Sequence, residues 1–174
     1  MKRSMLGLAF AAAVTLPTVV LAAPVEKNVS VTVTGGTLAG TVTVPQGDGS
    51  FPVALIISGS GPTDRNGNGP LAQTDAYKLL AQGLAAHGIA TLRYDKRTIG
   101  ASKFPSLSES DLRFEDFVND AVTFVDFLHK DSHFTSITIL GHSEGSLIGM
   151  LAAQRDAIVS SYVSLEGAGM NGAD

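Results

Sequence analysis

The chain has 174 residues and a formal net charge of −4, and that length is typical of a single domain. Hydrophobic residues make up 44% and charged residues 16% of the sequence, which excludes an intrinsically disordered chain. The mild acidity, without a basic patch, argues against nucleic-acid binding. The absence of cysteine excludes disulfides, thiolate metal sites and a cysteine nucleophile.

A leader peptide is predicted at residues 1–23. Lys2 and Arg3 precede an uncharged apolar run over residues 5–21, and the run ends on small residues suited to cleavage after Ala22. An uncleaved membrane anchor is the alternative, but the run is short for a span of ~20 residues and contains a proline. We therefore expect export to a bacterial periplasm or to the medium, without stable membrane association after cleavage.

Strand and helix patterns alternate along the rest of the chain. Alternating apolar and polar residues predict an antiparallel hairpin with strands at 29–34 and 38–44. The continuous apolar run over 53–57 predicts a strand that is buried on both faces. The patterns that follow predict, in order, a helix over 71–87, a strand over 89–94, a helix from about 108 to 130, a strand over 136–140, a helix over 145–154 and a strand over 158–165.

Buried strands joined by helices imply an α/β fold, with a mostly parallel sheet that carries helices on both faces. The chain stops soon after the sixth predicted strand, where a doubly wound sheet normally continues with a helix. We therefore expect residues 24–174 to be the N-terminal part of a larger domain. The strand over 158–165 would then be an uncovered apolar edge, which predicts aggregation or misfolding of the isolated segment.

The candidate nucleophile is Ser143. It lies in Gly141-His142-Ser143-Glu144-Gly145, which matches the G-x-S-x-G pattern of a nucleophile elbow, between a predicted strand and a predicted helix. Such a serine occupies a sharp, strained turn that leaves no room for side chains at the two glycine positions. A tight turn without chemistry is the alternative.

A second glycine-rich stretch supplies a candidate oxyanion hole. Residues 58–62, Ser-Gly-Ser-Gly-Pro, follow the buried strand over 53–57 directly. Acyl transfer to a serine needs two N–H groups aimed at the tetrahedral oxyanion. We expect these to be the backbone N–H groups of Ser60 and of Glu144, the residue after the nucleophile. An ordinary glycine turn is the alternative at residues 58–62.

Three stretches, in this order, resemble α/β-hydrolases, in particular exported bacterial enzymes related to serine aminopeptidases and dienelactone hydrolases. They are SGSGPTDRNGN at 58–68, LRYDKR at 92–97 with Gly-Ala-Ser at 100–102, and GHSEGS at 141–146. The resemblance covers most of residues 29–170. It implies a serine hydrolase that needs no cofactor and acts on a small-molecule ester, or as a second choice an amide or peptide, through an acyl-enzyme on Ser143. Thr98 stands where a glycine is usual.

The resemblance also implies that an acid and then a histidine follow the nucleophile. No histidine follows Ser143 in the sequence. Glu166, at the end of a predicted strand, is the alternative position for the acid within the chain, since a few relatives place it there. The ring of His142 is expected to point away from the serine. The remaining histidines do not occupy the position of the family's base: His87, His129 and His133. We therefore expect the missing triad members outside residues 1–174, and little or no activity from this segment alone.

Other patterns favour binding. Residues 64–69 match the first half of a calcium loop, and Asp75 falls at position 12 of that loop, where glutamate is expected. A non-catalytic binding protein with the same fold, and with Ca²⁺ in this loop, is the alternative function. His129 and His133 are spaced for one helix face, but no third metal ligand is evident. Asp95, Lys96 and Arg97 follow a strand and could line the site or form a loop ion pair.

Overall fold

The computed structural model describes residues 23–169. The predicted leader therefore lies outside the described residues except for Ala23, and so do residues 170–174. Among the helices of the described range, none is both long enough and apolar enough to cross a lipid bilayer.

A six-stranded sheet forms the centre of the molecule, and a separate pair of two-residue strands lies beside it. In spatial order the six strands are β1 (Val25–Val33), β2 (Gly36–Val44), β6 (Ala90–Tyr94), β3 (Phe51–Ile57), β7 (Phe134–His142) and β8 (Val159–Leu165). The hairpin β1–β2 is antiparallel and joins β6 in an antiparallel pair, whereas β6, β3, β7 and β8 are mutually parallel. The predicted mostly parallel sheet with an N-terminal hairpin is confirmed.

Helices cover both faces of this sheet. Helix α1 (Ala76–Ala86) packs on one face, over Ile56 and Leu140. Helices α2 (Phe114–His129) and α3 (Glu144–Arg155) pack on the other face, in the larger core. Because successive strand residues point to opposite faces, the fully apolar β3 supplies both cores.

Two helices begin later than the sequence patterns predict. The α1 pattern was expected to start at residue 71, but residues 68–69 (β4) and 72–73 (β5) pair as a small hairpin and Leu71 is fully exposed. Helix α2 was expected to start near Ser108, yet a 3₁₀ turn over Glu109–Asp111 comes first. The Ser108 hydroxyl donates a hydrogen bond to the Asp111 carboxylate at 2.6 Å. Two side chains that the sequence offers as helix caps therefore bond each other within this turn.

A buried arginine ties the hairpin to the loop after β3. Arg93, in β6, is only 2% exposed. Its guanidinium donates to Thr43 Oγ1 at 2.7 Å, to Asn66 Oδ1 at 3.1 Å and to Glu26 Oε1 at 3.0 Å. A buried charge is tolerated when it is paired and hydrogen-bonded in this way. The contact with Asn66 holds the loop over residues 58–70 against the sheet.

Asp95 joins that loop to the next one. Its carboxylate is 2% exposed and accepts the backbone N–H of Arg65 at 2.7 Å and that of Ala101 at 2.8 Å. The Arg65 guanidinium lies 3.7 Å from the same carboxylate. Charge-assisted bonds to backbone N–H groups are among the stronger hydrogen bonds in proteins. The two loops that follow β3 and β6 are therefore held together at one buried point.

Thr98, in the loop after β6, has a φ of 65°, which is left-handed backbone that β-branched residues rarely adopt. We predict that Thr98→Gly raises the free energy of unfolding by up to about 1 kcal/mol, because glycine removes the backbone strain at a smaller entropic cost. Urea unfolding measures the change. Thr123→Gly, within helix α2, is the control and should lower stability. Equal destabilisation by both substitutions would contradict this account.

Candidate active site

Ser143 occupies a strained turn between a strand and a helix. Strand β7 ends at His142 and α3 begins at Glu144, and the serine between them has a φ of 53° and a ψ of −120°. Its backbone N–H donates to Leu165 O, at the end of β8, at 2.9 Å. This is the local geometry that the sequence pattern predicts for a nucleophile elbow. The turn lies at the carboxyl ends of the parallel strands, where open α/β sheets bind ligands.

The two glycines of the turn allow backbone segments to touch. A Cβ on Gly145 would lie 2.6 Å from Ser58 O and closer still to Ile57 O. A Cβ on Gly141 would overlap Gly145 O and lie 2.6 Å from the Cα of Ser146. Neither overlap can be relieved by moving a flexible side chain, because the obstructing atoms are backbone. The turn therefore requires glycine at both positions.

The loop after β3 lies beside Ser143. A Cβ built on Gly59 would be 3.2 Å from Ser143 Cβ, so the Gly59 backbone is in close contact with the serine. Within residues 23–169, neither the Ser60 N–H nor the Glu144 N–H donates to a protein acceptor. The Glu144 N–H also belongs to the first turn of α3, where unpaired N–H groups and the helix dipole favour negative charge. Both N–H groups are thus without a protein acceptor in the described residues, which is one of the conditions that an oxyanion donor must meet.

Gly59 is held from two sides. Its N–H donates to the Tyr77 hydroxyl at 3.1 Å, and that hydroxyl lies 2.9 Å from His142 Nδ1. Its carbonyl accepts a hydrogen bond from Lys96 Nζ at 2.6 Å. The sequence patterns gave no sign of these contacts. The residues lie far apart along the chain, and no spacing rule relates them.

Lys96 also contacts the residue after the nucleophile. Its Nζ is 3.4 Å from Glu144 Oε2, and it lies 5.5 Å from the centre of the Phe117 ring. Burial lowers the pKa of the Lys96 ammonium below its ordinary value, and the Glu144 carboxylate opposes that shift. A buried lysine with a depressed pKa is thus placed between the loop after β3 and the start of α3.

The two candidate lining residues have different surroundings. Asp95 is buried in the loop contact described above, with Arg65 as its charged partner. Arg97 forms two 2.8 Å hydrogen bonds with the buried carboxylate of Asp120. Arg97 also borders a pocket of about 370 Å³, whose other lining residues include Pro62 and Glu144. Arg97 is therefore adjacent to the site as well as ion-paired, whereas Asp95 is engaged in the loops.

The loop over 64–75 uses its oxygen atoms internally. Asp64 Oδ1 accepts the N–H groups of Asn66 at 2.8 Å and Asn68 at 2.9 Å. Asn68 Nδ2 donates to Asp75 Oδ1 at 2.7 Å, and Asn68 Oδ1 accepts the Asp75 N–H at 2.9 Å. These bonds form an Asx-type turn rather than a set of inward-facing ligands. Across residues 23–169, no three His, Asp or Glu side chains group closely enough to hold a metal ion.

No hydrogen bond within the described range joins a histidine ring to the Ser143 hydroxyl. The ring nitrogens that do have partners lie elsewhere: His142 bonds Tyr77, His87 bonds Gly83 O and His133 bonds Asp131. Glu166, the candidate acid, follows β8 directly in left-handed backbone and is exposed to solvent. Within residues 23–169, the serine of the strand–helix turn is therefore not bonded to a histidine ring.

Comparison with known proteins identifies the family. The sequence model of the family described as serine aminopeptidase, S33, matches residues 68–166, which include the whole Ser143 turn. The chain belongs to this family of hydrolases. The predicted membership of the α/β-hydrolases, with serine-aminopeptidase-like and dienelactone-hydrolase-like relatives, is therefore confirmed.

Individual relatives agree with this family. Esterase EstD of Thermotoga maritima is 32% identical over 130 residues, which are 75% of this chain and 29% of the esterase. The dienelactone hydrolase from Anabaena variabilis is 25% identical, with a TM-score of 0.61 over 84% of this chain and 65% of its own. Est1E from Butyrivibrio proteoclasticus, solved with ferulic acid bound, is also 25% identical, with a TM-score of 0.62 over 77% of this chain and 50% of its own. The chain spans less than a third of the esterase's length.

The packing of the S33-family turn leads to a stability prediction. We expect Gly145→Ala to destabilise the fold by several kcal/mol, on the order of a severe overpacking substitution, because its methyl group would meet two backbone carbonyls. Gly83→Ala, in α1, is the matched control, since a Cβ there meets nothing within 4 Å and alanine is the better helix former. Thermal unfolding of both variants is the measurement. A melting temperature for Gly145→Ala equal to that of the unsubstituted protein would contradict the packing.

Proposed function

We propose that this protein is a serine hydrolase that cleaves carboxylic esters through an acyl-enzyme on Ser143. The observation that supports the proposal most directly is the contact between Gly59 and Ser143, which brings a glycine-rich loop with an available N–H group beside a serine at a strand–helix turn. Membership of the S33 family and the similarity to an esterase agree with it.

In the proposed reaction the Ser143 oxygen attacks the ester carbonyl carbon while its proton passes to a general base. The carbonyl oxygen becomes an oxyanion, which accepts hydrogen bonds from the Ser60 and Glu144 N–H groups. Collapse of this intermediate breaks the bond to the alcohol, which leaves with the proton from the base. Water then attacks the acyl-enzyme by the same route and releases the carboxylic acid. No cofactor takes part in these steps.

The base and its acid partner are proposed to lie outside residues 1–174. No histidine follows Ser143 in the sequence, and none in the described range bonds its hydroxyl. The limited share of EstD that the chain spans is compatible with further catalytic residues elsewhere in a longer protein. A serine without a base keeps its high pKa and attacks poorly, so residues 24–174 alone are expected to be nearly inactive.

Esters are the preferred substrate class in this proposal, and amides or peptides come second. The EstD relative is named an esterase, and Est1E was solved with ferulic acid, a carboxylic acid. The family description, serine aminopeptidase, is the observation that favours the second class. We further propose a periplasmic or secreted location, on the basis of the leader pattern at residues 1–23.

Ser143→Ala tests the function in a form of the protein that extends beyond residue 174. We expect the substitution to abolish labelling by a fluorophosphonate probe and to lower hydrolysis of p-nitrophenyl acetate by a factor on the order of 10⁴ or more, since the attacking atom is removed. The control is Ser106→Ala, at an exposed loop serine, which should keep the label and the activity.

Each alternative gives a different result in the same assay. Faster hydrolysis of an alanine p-nitroanilide than of the acetate would favour the aminopeptidase reading. If the unsubstituted longer protein neither reacts with the probe nor hydrolyses either compound, the proposal is wrong and a non-catalytic binding protein with this fold is favoured.

Residues 24–174 expressed alone provide a separate prediction. We expect hydrolysis of p-nitrophenyl acetate close to the background rate, because no base is bonded to Ser143 among the described residues. We also expect self-association through the edge strand β8. Light scattering and the same ester assay measure both properties. A monomer with a sharp, cooperative thermal transition would contradict the expected association, and turnover equal to that of the longer protein would contradict the external base.

A further inference from the structure

Lys96 is a buried lysine whose Nζ has two acceptors, one on the residue before Ser60 and the other on Glu144 itself. The residue is 4% exposed. Its Nζ donates to the carbonyl of Gly59, the residue before Ser60, at 2.6 Å. The same atom lies 3.4 Å from the carboxylate of Glu144, the residue that carries the other candidate donor.

This arrangement is costly for stability alone. Removing an ammonium from water carries a penalty of several kcal/mol, and one carbonyl with one partly exposed carboxylate offset it only in part. The depressed pKa of Lys96 has the same origin. An apolar side chain against Phe117 would fill the space without that penalty. The charge therefore calls for a role beyond packing.

We propose that Lys96 is a positioning residue, which aims the Ser60 N–H at the oxyanion of the reaction by holding the Gly59 carbonyl. This inference rests on the proposed function. The Gly59 C=O and the Ser60 N–H belong to one planar trans peptide, in which the two bonds point in opposite directions. An ammonium that binds the carbonyl on one side thus fixes the direction of the N–H on the other.

The neighbouring contacts make this restraint complete. The peptide before Gly59 is fixed independently, because the Gly59 N–H donates to the Tyr77 hydroxyl from α1. Both peptide groups of a residue without a side chain are thereby held, which suppresses the rotation that glycine otherwise allows. Through Glu144, the same ammonium also contacts the first residue of α3. One cation therefore sets the relative position of the two segments that carry the candidate donors.

The test uses Lys96→Met in the form of the protein that extends beyond residue 174. Methionine keeps the apolar stem and removes the charge and its N–H donors. We expect kcat for p-nitrophenyl acetate to fall 10- to 100-fold, somewhat less than the loss of an oxyanion donor itself, while KM changes less than about threefold. The affinity for a trifluoromethyl ketone, which forms a tetrahedral adduct with the serine, should fall by the same factor as kcat/KM.

Two further variants separate positioning from stability. Asp120→Asn is the control, because it also disturbs a buried ion pair of the same loop, with Arg97, and has no contact with Gly59. It should lower the melting temperature and leave kcat within about twofold. Lys96→Arg retains the charge and the donors, so we expect it to recover at least half of the logarithmic loss in kcat.

The outcomes are distinguishable. Lys96→Met with a lower melting temperature and an unchanged kcat, the pattern expected of Asp120→Asn, would overturn the positioning role and leave the proposed function standing. If Lys96→Met is not recovered in folded form, Lys96→Gln decides by the same two measurements. A longer protein that is inactive without any substitution would overturn the proposed function and the positioning role together.

Discussion

The site depends on a direct contact between two stretches of backbone. The start of α3 lies against the carbonyls that end β3, and only a glycine at residue 145 lets them approach so closely. The glycine-rich segment after β3 therefore passes the strand–helix turn, since the chain leaves β3 at that point. Ser143 and Gly59 become neighbours through this packing, although they are 84 positions apart in the sequence. The chemistry of the site is thus a consequence of how two main chains meet.

Buried polar side chains from one short stretch then fix what the packing brings together. Arg93, Asp95 and Lys96 lie within four residues at the end of β6, and each has its own set of partners. Arg93 holds the loop after β3 to the sheet, Asp95 joins that loop to the next, and Lys96 holds its glycine. Each of these charges is costly to bury; several hydrogen bonds compensate Arg93 and Asp95, whereas the two acceptors of Lys96 offset its cost only in part. The LRYDKR stretch therefore anchors the site as much as it continues a strand.

The sequence predicts the parts of this structure that have local causes. The five apolar residues of β3 and the G-x-S-x-G turn are recognisable because burial and steric demand act on adjacent residues. The predicted start of α1 was wrong because the pattern treats Leu71 as the first apolar residue of a helix. Leu71 instead lies exposed in the turn between the two short strands β4 and β5. The contacts of Tyr77 with Gly59 and of Lys96 with Glu144 were not predictable, since only the folded chain brings them together. The oxygen-rich loop after Asp64 shows a further limit, because an Asx turn and a cation loop share the same residue types at similar spacing.

The two hydrogen bonds by which the Asp95 carboxylate joins two loops also have a consequence for how the length of these loops can vary. Both loops border the same end of the sheet, and one carboxylate receives an N–H group from each. An insertion that moved either N–H group away would leave the buried carboxylate with one hydrogen bond fewer, which costs stability. Length variation next to residues 65 and 101 is therefore disfavoured, and it is better tolerated in segments that share no such contact. Because one buried carboxylate joins them, the two loops form the more rigid side of this end of the sheet.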